Sequence, residues 1–261
     1  MTKAIVFFDL DLTLLNDDKQ VPPENLAAIK ALQANDCLPV ICTGRNLWET
    51  ANLQAQTGIT TVVGANGGDL LLEGQHLFQS PIGQPQLTRL LAQAAEDQLP
   101  VAMYSDQTVA LTFADDNTRG NYELVKQPAP VIDPDFATTQ PVPMVLLFTP
   151  RTPAGIETGA RYVRAFPELT FYRNGPFALD VVNKGMSKGF GVDMVRQQPQ
   201  FADVKTYAFG DGNNDIAMFE QVDIAVAMGN ALPHVVAIAD YQTDDYQHAG
   251  IPNALKHFGL I

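Results

Sequence analysis

Residues 3–15 read KAIVFFDLDLTLL. After Lys3 the run is continuously apolar up to Phe8, without the alternation of a strand that has one wet face, so residues 3–8 predict a strand buried on both sides. The run ends in Asp9 and Asp11. Carboxylates at i and i+2 of an extended chain point the same way, and two like charges held together are unfavourable unless a cation neutralises them or their pKa values separate. An isolated Asp-x-Asp is also what a pair of loop acids looks like. Its place at the carboxyl end of a buried strand favours a ligand, because open parallel sheets bind there.

Outward from this strand the pattern repeats. Pro22 and Pro23 open a helix to about residue 35 with Leu26, Ile29 and Leu32 on one face. A second buried strand covers 38–42, a helix 47–56 and a third strand 61–65, and residues 69–78 around Glu73-Gly74 predict a small hairpin. Strand and helix in alternation is the grammar of a parallel sheet covered on both faces. The texture changes at 80–85 (SPIGQP), a linker-like composition. Beyond it come a helix at about 86–98, strands 101–105 and 108–113, and a Pro-rich stretch 128–143. Strand 144–148, a helix near 154–166, and strands 169–173 and 177–182 follow. Adjacent strands with tight connections predict an antiparallel sheet with helices. Alternation resumes after Asn183 with helix 188–198, strand 204–209, helix 215–220, strand 223–227 and helix 231–239. The expected fold is therefore α/β, a Rossmann-like doubly wound parallel-sheet core split into 1–81 and 184–261, with an α+β domain, 82–183, inserted as a cap.

The bulk properties restrict the function. Of 261 residues, 46% are hydrophobic, enough for a sizeable core. The longest apolar runs, such as 4–8 and 145–148, fall far short of the roughly 20 residues that span a bilayer, and no signal peptide fits the start. Cys37 and Cys42 are the sole cysteines, no disulfide framework, which points to a reducing cytoplasm. A net charge of −13 argues against nucleic acid, whose binding rests on Lys and Arg. An anionic substrate would be repelled unless positive charge were concentrated locally, and a metal cation is the obvious remedy.

Three further segments carry chemistry. Thr43-Gly44-Arg45 ends the second strand, where a hydroxyl, a glycine that lets the backbone approach, and a guanidinium together suit a phosphate; a helix cap with a solvated arginine is the plainer alternative. Ser187-Lys188-Gly189-Phe190-Gly191 opens a helix. Ser187 can cap it, but Lys188 sits at the positive end of the dipole and two glycines weaken the first turn, local rules broken together as at functional sites. Gly210-Asp211-Gly212-Asn213-Asn214-Asp215 lies between a strand and a helix. It shares the outline of a dinucleotide fingerprint, but Asp215 stands where the third glycine belongs. An acid-rich turn would repel a pyrophosphate and reads instead as a metal site with oxygen ligands suited to Mg²⁺.

Together these segments resemble the haloacid dehalogenase-like (HAD) hydrolases, and more closely their Cof-type sugar-phosphatase group. The resemblance covers the whole chain: DLDLTLL at 9–15, TGR at 43–45, the Lys188 region, GDGNND at 210–215 and AMGNA at 227–231. It implies a Mg²⁺-dependent phosphatase acting on a small phosphorylated metabolite, a sugar phosphate foremost. Asp9 would be the nucleophile that forms an aspartyl-phosphate, and Asp11 the acid that protonates the leaving oxygen and then activates water. Mg²⁺ would be held by Asp9, the Asp11 main-chain carbonyl and Asp211, with Asp215 assisting. Thr43, Gly44, Arg45 and Lys188 would hold the phosphoryl oxygens, with Asn214 close by. A monomer or weak homodimer is expected. A phosphomutase-type phosphotransferase shares this nucleophile, and a catalytically silent phosphate-binding protein is the alternative from another class. Asn66-Gly67-Gly68 replaces the group's usual Asn-Gly-Ala, and 244–250 (DDYQHAG) departs from its usual ending. Trp48 and Cys42 are expected to pack rather than react, and His248 to lie on the surface without a role.

Overall fold

A computed structural model describes residues 2–173 and 175–261. They form two compact units, Met1–Phe78 with Ser187–Ile261, and Gln79–Met186. In the first, the chain runs β1 (Ala4–Phe8), α1 (Pro23–Ala34), β2 (Cys37–Cys42), α2 (Ala51–Thr57), β3 (Thr61–Gly64), β4 (Asp69–Leu72) and β5 (Gln75–Gln79). The second contains α3 (Gln84–Glu96), β6 (Val101–Tyr104), β7 (Val109–Leu111), α4 (Asp116–Leu124), β8 (Val131–Ile132), β9 (Met144–Leu147), α5 (Pro153–Ala165), β10 (Leu169–Tyr172) and β11 (Leu179–Asn183). The chain then returns to the first with α6 (Lys188–Arg196), β12 (Lys205–Gly210), α7 (Ile216–Phe219), β13 (Ile224–Ala227), α8 (Pro233–Val236), β14 (Tyr241–Gln242) and α9 (Gly250–His257).

The first unit's sheet has the order β14-β13-β12-β1-β2-β3-β4-β5. All its pairings from β14 to β3 are parallel. β1 explains its own sequence: Ala4, Val6 and Phe8 enter one apolar core while Ile5 and Phe7 enter the other. A strand whose two faces are both dry must be apolar at every position. Ala28, Ile29 and Leu32 of α1 cover one face, and Val192 and Val195 of α6 the other. Burying a side chain such as Phe8 is worth about 1.5–3 kcal/mol, so this central strand is pinned from both sides. This is the doubly wound α/β core that the sequence predicts.

Register then decides what lies at the sheet's carboxyl edge. Phe8 stands opposite Ile41 of β2 and Phe209 of β12, so Asp9 emerges beside Cys42 and Gly210. The chain leaves β1 toward β2 and β3 on one side and later builds β12 to β14 on the other. The gap between β1 and β12 is therefore the topological switch point, where open α/β sheets bind ligands.

The second unit has a six-stranded sheet, β10-β11-β9-β6-β7-β8, antiparallel apart from the β7–β8 pair. It has its own core, with Leu87, Leu90 and Ala94 of α3 and Tyr162 and Phe166 of α5 packed on the sheet. Its two ends are tied together: the Asn183 side-chain amide donates to Ser80 Oγ at 2.9 Å and to the Pro81 carbonyl at 2.8 Å.

Several elements differ from the sequence reading. The expected helix 47–56 is a 3-10 turn, Leu47–Thr50, followed by α2, because Glu49 Oε2 accepts from the Asn46 backbone amide at 2.8 Å and fixes a tight start. The expected helix 231–239 shrinks to α8, which Pro233 opens. The sequence predicts no element at α4, β14 or α9. α4 buries only Thr118 and Tyr122 and so lacks an apolar stripe. α9 buries Ile251, Ala254 and Leu255, but a proline in its first turn breaks the pattern.

Candidate active site

The loop after β1 curls back on itself. Leu14 and Leu15 donate backbone amides to the carbonyls of Asp9 (3.2 Å) and Leu10 (2.8 Å). Leu12 adopts a left-handed conformation, φ 63°, a costly one for a side-chain-bearing residue. The Thr43 and Asn66 loops are joined to each other: the Thr43 amide donates to Val63 O at 2.8 Å, Ala65 N to Arg45 O at 2.8 Å and Asn66 N to Thr43 O at 3.1 Å. Residues 65–67 all have positive φ, 48°, 49° and 87°. At Gly67 this is enforced by packing as well, since a Cβ there would meet the Ser187 carbonyl oxygen at 1.9 Å.

That contact places the start of α6. Ser187 Oγ accepts from Phe190 N at 3.0 Å, the expected cap. Gly189 and Gly191 have a structural reason: a Cβ would lie 2.0 Å from the Ala217 carbonyl oxygen at the first and 2.1 Å from a Val63 methyl at the second. The two glycines let α6 sink against α7 and β3, and this carries Lys188 inward. Its side chain is fully buried, with Nζ 2.5 Å from Asp9 Oδ1 and 2.6 Å from Asp215 Oδ1. Burial disfavours the ammonium, but Asp215 and Asp9 outweigh it and raise the Lys188 pKa, so the group is a fixed cation. The two carboxylates thus offset the unfavourable helix end that the sequence flags.

Asp215 is held by more than the lysine: its Oδ2 accepts from the backbone amides of Asp211 and Gly212, both at 2.9 Å. Asp9, Asp211 and Asp215 bring carboxylate oxygens within 4.8 Å of one another. Burial pushes the Asp9 carboxyl up, Asp215 and Asp11 add to this, and Lys188 only partly opposes it, leaving a pKa of about 7. Burial, then Asp9 and Asp215, push Asp211 up to about 8. Three carboxylates against one ammonium leave two negative charges when all are ionised. Among the described residues, the Asp211 side chain meets only neutral donors at long range, Thr13 Oγ1 at 3.4 Å and Asn230 Nδ2 at 3.3 Å. An oxygen-only donor set with a deficit of two positive charges fits a divalent cation of the Mg²⁺ type.

Asp11 lies apart from that cluster in its partners. Its Oδ1 accepts from Lys19 Nζ and Arg45 NH2, both at 2.7 Å, and its Oδ2 from Arg45 Nε at 3.3 Å. Burial would raise its pKa, but Arg45 and then Lys19 outweigh it and hold the group below the usual carboxylate range. Arg45, expected on a phosphate, has its Nε and one terminal nitrogen committed to Asp11. Thr43 is buried, its Oγ1 accepting from Arg45 N at 3.1 Å, and Asn214 Nδ2 donates to Asn66 Oδ1 at 3.3 Å. Sequence reading misses Lys19, Thr13 and Asn230. A lysine in a turn carries no signal, whereas Asn230 lies within AMGNA, a segment that could have pointed to it. Cys42 is buried with its thiol pushed well above the usual range by burial, and His248 is exposed beside Asp245.

The site is thus a carboxylate cluster around a buried lysine at a switch point, and comparison with known proteins gives the family. The profile of haloacid dehalogenase-like hydrolases matches residues 6–255. "Putative phosphatase YkrA" of Bacillus subtilis (strain 168) is 31% identical over 262 residues, covering 100% of both chains. A hypothetical protein from Geobacillus kaustophilus HTA426 of known crystal structure superposes with a TM-score of 0.88 at 31% identity, covering 99% of this chain and 100% of that one. The HAD subclass IIB sugar phosphatase BT4131 superposes with a TM-score of 0.85 at 26% identity, again covering 99% and 100%. The chain belongs to the haloacid dehalogenase-like hydrolases. Within them it is a Cof-type enzyme of the phosphatase class. No helix among the described residues is long and apolar enough to cross a membrane.

Proposed function

We propose that this enzyme is a Mg²⁺-dependent phosphatase of small phosphorylated metabolites, sugar phosphates foremost, that works through an aspartyl-phosphate on Asp9. The observation that carries the reading is the buried Asp9–Lys188–Asp215 contact at the carboxyl edge of β1, with Asp211 alongside. The carboxylates of Asp9, Asp211 and Asp215 and the main-chain carbonyl of Asp11 would hold Mg²⁺, which when bound neutralises charge on the phosphate oxygens.

The chain's own residues divide the work. An Asp9 carboxylate oxygen bonds to phosphorus while the ester oxygen leaves and takes a proton from Asp11, splitting one difficult displacement into two easier ones. Asp11, which Arg45 and Lys19 hold ionised in the free protein, takes up that proton once the substrate phosphate draws these cations away from it. In the second step water attacks the phosphorus of the acyl phosphate, gives its proton to Asp11, and restores the Asp9 carboxylate. Lys188 is already fixed where charge accumulates and so needs no reorganisation. Thr43 and the Gly44 backbone complete the phosphate cradle, with Asn214 at its side. In the free protein Arg45 and Lys19 hold Asp11 in place. Residues 82–183 act as a cap that selects the substrate through groups that do not react, binding energy that can be used at the reacting end.

The sugar-phosphate assignment draws support from the likeness to the subclass IIB sugar phosphatase. The test is a phosphate-release screen across a panel of phosphorylated metabolites with Mg²⁺ present and with it chelated. Free phosphate from hexose or pentose phosphates, lost on chelation, is the expected result. Transfer to a sugar hydroxyl without release of phosphate, or turnover indifferent to chelation, contradicts it.

A further inference from the structure

AMGNA, residues 227–231, has no part in the chemistry so far, yet it supplies a side chain that touches three loops at once. Asn230 Nδ2 donates to the Leu12 carbonyl at 3.0 Å and to Asp211 Oδ2 at 3.3 Å, while its Oδ1 accepts from the Tyr246 amide at 3.4 Å. Leu12 is the left-handed residue of the loop that presents Asp9 and Asp11. Asp211 is the half-buried carboxylate of the trio, and among the described residues no ion pair holds it. Asp215 is anchored by Lys188 and two backbone amides, and Asp9 by Lys188. The orientation of Asp211 therefore depends on two neutral donors: Thr13, which belongs to the opposing loop itself, and Asn230, which comes from a third segment and grips both Asp211 and the Leu12 carbonyl of that loop.

We propose that Asn230 is a positioning residue for cation binding: its amide ties Asp211 to the Leu12 turn, so that the metal-facing carboxylates of the two loops stay in register before the ion arrives. The proposal rests on the metal reading given above. Two features on either side of Asn230 agree with a clamp rather than an incidental contact. A left-handed leucine is a strained conformation, and it persists where surrounding contacts over-determine it. Next to Asn230, Gly229 lies so close to 244–245 that a Cβ would meet the Asp245 amide nitrogen at 2.6 Å, and the Gly229 amide donates to Asp244 O at 3.1 Å. The segment 244–250 thus backs the clamp, and the Tyr246 hydroxyl in turn donates to Asp17 Oδ2 at 2.9 Å. A structural amide of this kind would support stability alone; a positioning amide sets the affinity for the ion.

The experiment is Mg²⁺ titration of the whole protein by calorimetry, with thermal unfolding in parallel, for wild type, Asn230→Ala and Asn230→Ser. Groups that orient metal ligands are typically worth 10–100-fold in affinity. Asn230→Ala is expected to weaken Mg²⁺ binding about tenfold, the low end of that range because Thr13 remains, and to raise the Mg²⁺ concentration for half-maximal phosphate release equally, with kcat at saturating Mg²⁺ largely kept. Asn230→Ser, which keeps one donor, should fall between, and it carries the test if the alanine variant fails to fold. Wild-type affinity in a variant that has only lost thermal stability overturns the proposal and makes Asn230 a structural contact. Wild-type protein that takes up no Mg²⁺ at all overturns the metal reading itself, a result distinguishable from the first.

Discussion

Lys188 Nζ bridges Asp9 Oδ1 and Asp215 Oδ1 at 2.5 and 2.6 Å in a pocket where the lysine has no exposed side chain. The two carboxylates come from opposite sides of the switch point, Asp9 after β1 and Asp215 beyond β12. One ammonium therefore holds the two halves of the site together and supplies charge to it.

Replacing it should separate both roles from mere packing. Lys188→Met keeps the volume and leaves Asp9 and Asp215 facing each other without a cation. Breaking a buried pair by removing one partner costs about 3–5 kcal/mol, and losing a pre-placed charge at the reacting oxygens costs about 10²–10³ in kcat. Thermal unfolding and steady-state kinetics check both. Activity within a few-fold of wild type would remove Lys188 from the mechanism.

The pH dependence of stability follows from Asp9 and Asp211. Both have folded pKa values, about 7 and about 8, above their ordinary 3.8. The folded, metal-free protein therefore binds more protons than the unfolded chain between these values, and stability falls as pH rises through the window. Asp11 works in the opposite sense, since its folded pKa is depressed; its contribution is complete above the ordinary carboxylate range and does not change over the upper part of the window. Chelated protein should thus melt lower at about pH 8 than at about pH 5, and Mg²⁺ should raise the melting temperature more at the higher pH. A melting temperature that climbs with pH in EDTA contradicts the raised carboxylates.

Gly67 offers a test of how the lysine is placed. With φ 87° and only 1.9 Å between the position a Cβ would take and the Ser187 carbonyl oxygen, Gly67→Ala must push the start of α6 away. A loss of about 1–3 kcal/mol is expected from overpacking, with lower kcat because Lys188 follows Ser187. Gly74→Ala provides the control: its φ is also positive, 82°, but nothing lies within 4 Å, so it should cost backbone strain only and leave kcat intact.

How far the sequence can be read depends on which physical signal each part carries. β1 is legible because a strand dry on both faces has to be continuously apolar, and the four charged or glycine-rich segments are legible because each follows a strand or opens a helix of the core. α4 is not, since its nine residues bury only Thr118 and Tyr122; the cap formed by Asp115 and Thr118, with Thr118 N 2.8 Å from Asp115 Oδ1, is the one local sign. α9 escapes notice although Ile251, Ala254 and Leu255 keep helical spacing, because Pro252 interrupts it. Within the site, the two glycines of α6 look like broken rules around a functional lysine, and their cause is close packing against Ala217 and Val63, a tertiary fact that no local pattern contains. Lys19 is invisible for the same reason: only the turn 16–20, in which Asn16 Oδ1 accepts from Asp18 N and Gln20 N at 3.0 Å, brings it to Asp11.

The central claim is that Asp9 accepts the phosphoryl group, and the most direct measurement is to trap it there. Asp11→Asn removes the group that activates water in the second step, so with an aryl phosphate, whose leaving group needs little protonation, the first step should outrun the second. After quenching in acid, mass spectrometry of this variant should find one phosphoryl group on the peptide containing Asp9, and none when Asp9→Asn is added. A phosphoryl group on another residue, or its persistence in the double variant, would contradict the account.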